Sequence, residues 1–253
     1  MLQLKKNEMS SLYTDLVEVY EMMYATFIDY QLEYDLYKSF LKKYDKNSIL
    51  EIGCGTGNLS QRFINDNYDY CGLDFSKEML KIAKKRNPNA SFIHADMRHF
   101  SLKKPVESII MTGRTISYLV KNKDVESTFA SIHNNMKKGS IFCFDFIDAN
   151  EFIPEISNKK AITHEVNHKN ITYIRKSKWN PNILNSWCFD WESNFYKKEK
   201  NNLLKVGTDH STVRTFTKDE IELFLILNGF EVIEIIKRAS YAFPTYVVVT
   251  RKG

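Results

Sequence analysis

The sequence predicts an α/β fold: a seven-stranded sheet, parallel except for a reversed last strand, with an N-terminal helical segment and an antiparallel β insertion. Three observations predict it. Short apolar runs alternate with helical-period segments between residues 48 and 146, the signature of a parallel sheet. Two closing apolar runs lie too near each other for a crossover helix and must pair antiparallel. Residues 161–214 break the rhythm with longer alternating runs.

Taken in order, residues 11–44 place Leu12, Leu16, Val19, Met23 and Phe27 at intervals of three and four, which is the helical period. Strands are expected at 48–52, 68–73, 90–94, 106–111 and 140–146, with helices at 58–65, 77–86 and 125–136 between them. Ser76 stands ready to cap the second helix, whose apolar face holds Met79, Ile82 and Ala83. Thr217-Lys218-Asp219-Glu220 has the capping-box pattern and opens a helix that stops at Asn228-Gly229. Strands at 231–236 and 246–250 finish the sheet. The expected organisation is a helical cap over 1–44, a core over 45–160 and 215–253, and an insertion over 161–214. That insertion follows the fifth strand, so it lies over the carboxyl ends of the parallel strands, where open sheets bind ligands.

The insertion holds all three tryptophans, Trp179, Trp187 and Trp191. Strand alternation sets Ile171 and Tyr173 against Thr172 and Ile174, and puts Phe189, Trp191 and Ser193 on one face with Asp190 and Glu192 on the other. With Phe195 added, one face is greasy and one is wet. The greasy face suits a substrate wall, or a surface covered by the core or by a second copy of the chain, so a homodimer is a candidate assembly.

Composition removes other classes. With 43% apolar and 26% charged residues, and only 9 glycines and 5 prolines, the chain is neither disordered nor fibrous. The net charge of +5 arises from 36 basic and 31 acidic residues interleaved along the chain. The one basic cluster, Lys197, Lys198, Lys200 and Lys205, reads as a solvated strand edge, so nucleic acid is not an expected partner. Cys54, Cys71, Cys143 and Cys188 form no CxxC pair and read as free thiols. The first ten residues are polar, and no run approaches the roughly 18 apolar residues of a membrane helix. A cytoplasmic protein without membrane attachment is the expectation.

The chemistry-bearing motif follows the first strand: Glu51-Ile52-Gly53-Cys54-Gly55-Thr56-Gly57-Asn58 is a glycine-rich turn that brings backbone amides close to a ligand before a helix opens. Asp74 closes the second strand 17 residues after Gly57, where a carboxylate can accept from both hydroxyls of a ribose, and Phe75 follows it. Asp96 follows the third strand, placed to meet an adenine amino group while Met97 offers its amide and an apolar surface. A nicotinamide-binding loop would require a third glycine where the chain has Leu59 and Ser60.

Through Glu51 to Asn58, Asp74 and Asp96-Met97 the chain resembles the class I, Rossmann-like S-adenosylmethionine-dependent methyltransferases. The resemblance spans nearly all of residues 11–253 and implies S-adenosylmethionine as cofactor. The stretch from Tyr13 to Tyr20, the element Ile28-Asp29-Tyr30 and the β insertion look like the small-molecule branch that includes amino-sugar N-methyltransferases and glycine-methyltransferase-like enzymes. In that branch tyrosines of the N-terminal helices close over the methionine part of the cofactor, which carries over to Tyr13 and Tyr30. The resemblance also implies that Met111 lines the cofactor pocket and that the 113–118 loop lies beside the sulfonium.

Methyl transfer is an in-line displacement that needs alignment, exclusion of water and a destination for the acceptor's proton, but no nucleophilic side chain. The six histidines, His94, His99, His133, His164, His168 and His210, therefore need not include a base, and His164 and His168, four apart on a strand, do not converge on a metal. Tyr118 and Arg114 from the loop after the fourth strand, and His210 from the insertion, are the candidate substrate-facing groups. The sequence Met111-Thr112-Gly113-Arg114-Thr115-Ile116-Ser117-Tyr118 lacks the Asn/Asp-Pro-Pro-aromatic run of enzymes that methylate flipped bases. A small-molecule acceptor methylated on nitrogen or oxygen is the expectation; a protein or RNA acceptor, or a non-catalytic S-adenosylmethionine-binding module, remain the alternatives.

Overall fold

The computed structural model describes residues 11–156, 158, 161–182, 187–199, 202–238 and 243–253. The polar first ten residues and Lys200 lie outside the described residues. The core sheet has the order β10-β11-β5-β4-β1-β2-β3, built from β1 (Ser48–Ile52), β2 (Asp69–Asp74), β3 (Ser91–His94), β4 (Val106–Met111), β5 (Met136–Ile147), β10 (Phe230–Arg238) and β11 (Thr245–Lys252). Pairs among β1 to β5 are parallel, whereas β11 runs antiparallel to both β5 and β10. Strand order reverses between β1 and β4, which opens the ligand crevice of doubly wound sheets.

Each face of the sheet is covered by helices, because its central strands are apolar on both sides. Leu50, Ile52, Ile109, Met111, Phe142 and Phe144 pack with Phe129 of α5 (Asn122–Asn134) and Phe224 of α7 (Lys218–Leu227). Ile49, Ile110, Ile141, Cys143 and Val247 pack with Tyr37 and Phe40 of α2 (Tyr30–Lys43) and Leu59 and Phe63 of α3 (Asn58–Asn65). The period-2 alternation along β5 thus assigns 142, 144 and 146 to one layer and 141, 143 and 145 to the other.

Several expected boundaries move. β5 starts at Met136, ten residues before Phe146, because the segment that looked like the end of a helix already pairs with Val106. An unexpected helix, α6 (Ala149–Ile156), follows it. Ser76 caps α4 (Lys77–Arg86) by accepting from Met79 N. Thr217 caps α7 by accepting from Glu220 N, but the Glu220 carboxylate pairs with Arg214 instead of returning to the cap, so only half of the capping box forms.

The insertion is a four-stranded antiparallel sheet, β6 (Ile162–His168), β7 (Ile171–Asn182), β8 (Cys188–Glu199) and β9 (Asn202–Arg214), in sequence order. Its greasy face is covered within the chain. One end packs Trp179, Phe189 and Val213 on Phe152 and Ile156 of α6 and on Phe243. The other packs Val166 and Phe195 on Leu12, Leu16 and Met23, the last in α1 (Val17–Tyr24). Trp187 lies just before β8, is 47% exposed and stands apart from that face.

Arg214 fastens the insertion to the core. Its side chain is 1% exposed, lies over the ring of Phe216 at 4.6 Å, donates to Val120 O and Asn122 Oδ1, and pairs with Glu220. Removing one partner of a buried, hydrogen-bonded charge leaves the others unsatisfied. Arg214→Ala is therefore expected to lower stability by roughly 3 kcal/mol, measured as a shift of the denaturant midpoint; a loss within a few tenths would show that the tether carries no weight.

Candidate functional site

A cavity of about 650 Å³ opens at the carboxyl ends of β1, β2, β4 and β5. Its floor is the glycine turn. Gly53 has φ +72°, and a Cβ there would meet Thr115 Oγ1 at 2.6 Å, so only glycine lets the turn pass beneath the β4 loop. Gly55 N donates to Asp74 Oδ2 at 2.8 Å and Ser76 N donates to Asp74 Oδ1 at 2.8 Å. One carboxylate thereby joins the glycine turn to the start of α4. Burial pushes the Asp74 carboxyl up, against the pull of these backbone donors. Beneath the turn, Ser60 donates to Tyr70, whose hydroxyl donates to Glu51. Burial lifts Glu51 to about 8, opposed by the Tyr70 hydrogen bond and reinforced by Asp74.

The roof comes from the N-terminal segment. Ser76 Oγ donates to Tyr13 O at 2.5 Å, and the Tyr13 and Tyr118 hydroxyls are hydrogen-bonded across the cavity mouth. Leu12 N donates to Asp209 Oδ1 of β9 and Ser11 Oγ to Thr208 O, which ties the same segment to the insertion. Tyr13, Tyr20, Tyr30 and Tyr118, with His210, Ser211 and Thr212 of β9, all line the cavity.

At the far end Asp96 is gripped by Arg98, which donates from Nε and Nη2 and also reaches Asp124. Burial alone would raise the Asp96 carboxyl, but the Arg98 hydrogen bonds and charge hold it below its ordinary value. Adenine recognition by Asp96 would thus share its oxygens with Arg98, a residue the sequence did not single out.

Of the sequence-expected residues, Tyr13, Tyr30, Glu51, Gly53, Gly55, Asp74, Phe75, Asp96, Met97, Arg114, Tyr118 and His210 line this one cavity. Two do not. Met111 is fully buried in the core layer under α5, because the β4 alternation turns it away and leaves Thr112 at the cavity. Gly57, with φ +77°, turns toward α4, where a Cβ would meet Asn87 Nδ2 at 2.9 Å. Arg114 is buried with its backbone at φ +60°, and it opens the short 3-10 turn Thr115–Tyr118 without a side-chain cap. His210 lies at an exposed position on β9. Sequence reasoning missed Glu33 and Asp145, which also line the cavity. Asp145 had a signal: a lone carboxylate in the apolar run Phe142-Cys143-Phe144-Asp145-Phe146.

Residues 49–139 match the model of a protein family described as a methyltransferase domain. Over this segment the chain is similar to the S-adenosylmethionine-dependent methyltransferases. That family uses S-adenosylmethionine, and the cradle fits it: a glycine turn open to the cavity, a carboxylate at the end of β2 and a second acid after β3. The chain is 29% identical over 97 residues to the dTDP-3-amino-3,4,6-trideoxy-alpha-D-glucopyranose N,N-dimethyltransferase of Streptomyces venezuelae, covering 38% of this chain and 41% of that one. It is 35% identical over 81 residues to the dTDP-3-amino-3,6-dideoxy-alpha-D-glucopyranose N,N-dimethyltransferase of Streptomyces fradiae, covering 32% and 31%. These alignments span less than half of either relative. Among solved structures, the sugar N-methyltransferase KedS8 from Streptoalloteichus sp. superposes with a TM-score of 0.79 at 14% identity, over 100% of this chain and 98% of that one. DesVI of Streptomyces venezuelae gives 0.75 at 20% identity, over 93% and 97%. The structural likenesses establish the fold, insertion included.

Asp74→Ala removes the acceptor for Gly55 N and Ser76 N together with the carboxylate offered to a ribose. Charge-assisted hydrogen bonds in a dry site contribute roughly 1.5–3 kcal/mol each, so calorimetry should show S-adenosylhomocysteine binding weakened at least tenfold. Unchanged affinity in a folded variant would mean that the ribose is held elsewhere.

Proposed function

We propose that the chain transfers the methyl group of S-adenosylmethionine to an amine nitrogen of a small-molecule acceptor, with amino sugars as the favoured class. The observation that carries this reading is one roofed cavity that holds both the cofactor-type residues and Arg114, Asp145, Tyr118 and His210. A chamber closed by the N-terminal segment and β9, of a size typical for small-molecule pockets, suits a compact acceptor better than a polymer.

S-adenosylmethionine, when bound, supplies a methyl group on a sulfonium whose sulfur leaves as a neutral thioether. The chain's own residues align the acceptor and exclude water. Tyr13 and Tyr118 close the mouth, while Ser211 and Thr212 add hydroxyls along one wall. Two observations favour nitrogen over oxygen. The Asp145 carboxylate suits a cationic amine, and an amine needs only to shed its ammonium proton, whereas an alcohol demands a stronger base. The two curated relatives named above are N,N-dimethyltransferases of nucleotide-linked amino sugars, which supports the same class.

Incubation with labelled methyl donor and separate pools of nucleotide-linked amino sugars, simple alcohols, protein and RNA tests the reading. Label is expected in the amino-sugar pool; label confined to RNA or protein would overturn it. The insertion is proposed to set acceptor choice. Trp191 lines a small recess that adjoins the main cavity beside Tyr13 and Tyr118. Trp191→Ala should therefore raise the acceptor KM several-fold while S-adenosylhomocysteine affinity stays within twofold of the parent. Unaltered kinetics toward the true acceptor would remove the insertion from the site.

A further inference from the structure

The strand β5 places one carboxylate where its neighbours are apolar. Asp145 shares its face with Ile141 and Cys143, which pack in the layer under α2 and α3. It is 2% exposed, yet it lines the cavity at the carboxyl end of the strand. Its Oδ1 accepts from Arg114 N at 2.7 Å, which steadies a non-glycine residue at φ +60°. An asparagine would serve that backbone contact equally well, without the desolvation that a buried charge suffers. The charge therefore needs a use of its own.

The charged and titratable groups around it come from three elements and the β4 loop. Arg114 follows β4, Glu33 and Tyr37 stand on α2, Arg238 comes from β10, and Cys143 lies two residues earlier on β5. Arg238 is matched by Glu33, to which it donates from both terminal nitrogens. The Tyr37 hydroxyl is buried without a hydrogen-bond partner, and burial holds its proton firmly.

We propose that Asp145 is the acceptor-amine residue: its carboxylate binds the ammonium form of the acceptor and takes one proton from it before methyl transfer. This rests on the amine-methylation reading above. The ammonium gives a proton to the carboxylate and becomes a neutral amine. Its lone pair then forms the C–N bond while the methyl C–S bond breaks, the bonding electrons remaining on sulfur. The product carries the positive charge as a methylated ammonium, and the proton on Asp145 passes to water when the product leaves. Burial lifts Asp145 to about 6, reinforced by Glu33 and opposed by Arg114 and Arg238. The group is thus ionised at neutral pH and accepts a proton more readily than an ordinary carboxylate. Below that value it is already protonated, so activity is lost as pH falls.

Asp145→Asn keeps an acceptor for Arg114 N and removes the charge. Calorimetry should show S-adenosylhomocysteine affinity within twofold of the parent, while turnover of the labelled amine falls about 100-fold and the acid limb of the kcat/KM profile near pH 6 disappears. A tenfold loss of S-adenosylhomocysteine affinity would assign Asp145 to the cofactor's own amino group and overturn the proposal, as would retained turnover with the acid limb in place. A second measurement needs no turnover and no variant. The parent protein saturated with S-adenosylhomocysteine is titrated with cyclohexylamine and, separately, cyclohexanol, from pH 5 to 8. Preference for the ammonium above pH 6 that fades below it supports the site; equal binding of the two at every pH overturns it. If no amine in the labelled pools is methylated, the functional reading fails, while this titration still decides whether Asp145 receives a cation.

Discussion

The structure of the site depends on one carboxylate, Asp74, accepting from Gly55 N and Ser76 N at the same time. The glycines of the turn carry no side chains, so their positive-φ backbone is held by partners outside them, Asp74 on Gly55 N and Arg86 and Asn87 on Thr56 O and Gly57 O. Asp74 gives it a fixed partner on the neighbouring strand. Ser76, positioned by the same contact, caps α4 through its hydroxyl oxygen and donates that hydroxyl to Tyr13 O. A chain of short polar contacts therefore runs from the floor of the cavity to its roof. A ribose bound at Asp74 would meet a group already engaged on two sides, so its hydroxyls complete a hydrogen-bond shell and need not build one.

The roof is held with equal economy. The N-terminal segment crosses from Ser76 to β9, where Asp209 receives Leu12 N and Leu16 lies so close to Gly207 that a Cβ there would meet it at 2.7 Å. Core turn, N-terminal segment and insertion sheet thus meet around one volume. The greasy face of the insertion is consumed in this joint and in the aromatic packing of Trp179, Phe189 and Phe243. That face is buried against the rest of the chain, and the cavity receives His210, Ser211 and Thr212 of β9 instead.

Much of this was legible in the sequence because the relevant signals are local. Hydrophobic period and turn chemistry placed β1, α3 and α4 at their observed ends, and the carboxylates after β2 and β3 stood at positions the strand pattern singles out. Met111 was misplaced because a strand end has two faces, and the choice between them depends on which residue first leaves the sheet; here it is Thr112. Glu33 and Arg238 were not legible at all, since their pairing joins residues 205 apart in the chain and exists only after α2 folds across β10. Asp145 lay between the two cases. Its polarity was visible amid phenylalanines, but its role depends on the β4 loop delivering Arg114 N to it. Tyr118 was found for its position beside the sulfonium in the family geometry, whereas its contact with Tyr13 is a tertiary fact.

The electrostatic balance of the cavity follows from the same architecture. Burial raises Glu51, Asp74 and Asp145 together, because the crevice at a strand-order reversal removes water from the carboxyl ends of β1, β2 and β5 at once. For Glu51, raised to about 8, the folded chain binds more protons than the unfolded chain between its ordinary range and that value, so its burial lowers stability as pH rises through that window. A cation entering the cavity reverses the cause: it favours the ionised carboxylates, lowers their proton affinity and is linked to proton release. Under the amine-methylation reading proposed above, the ligands are a sulfonium and an ammonium, and the displacement would move positive charge from sulfur to nitrogen within one cavity.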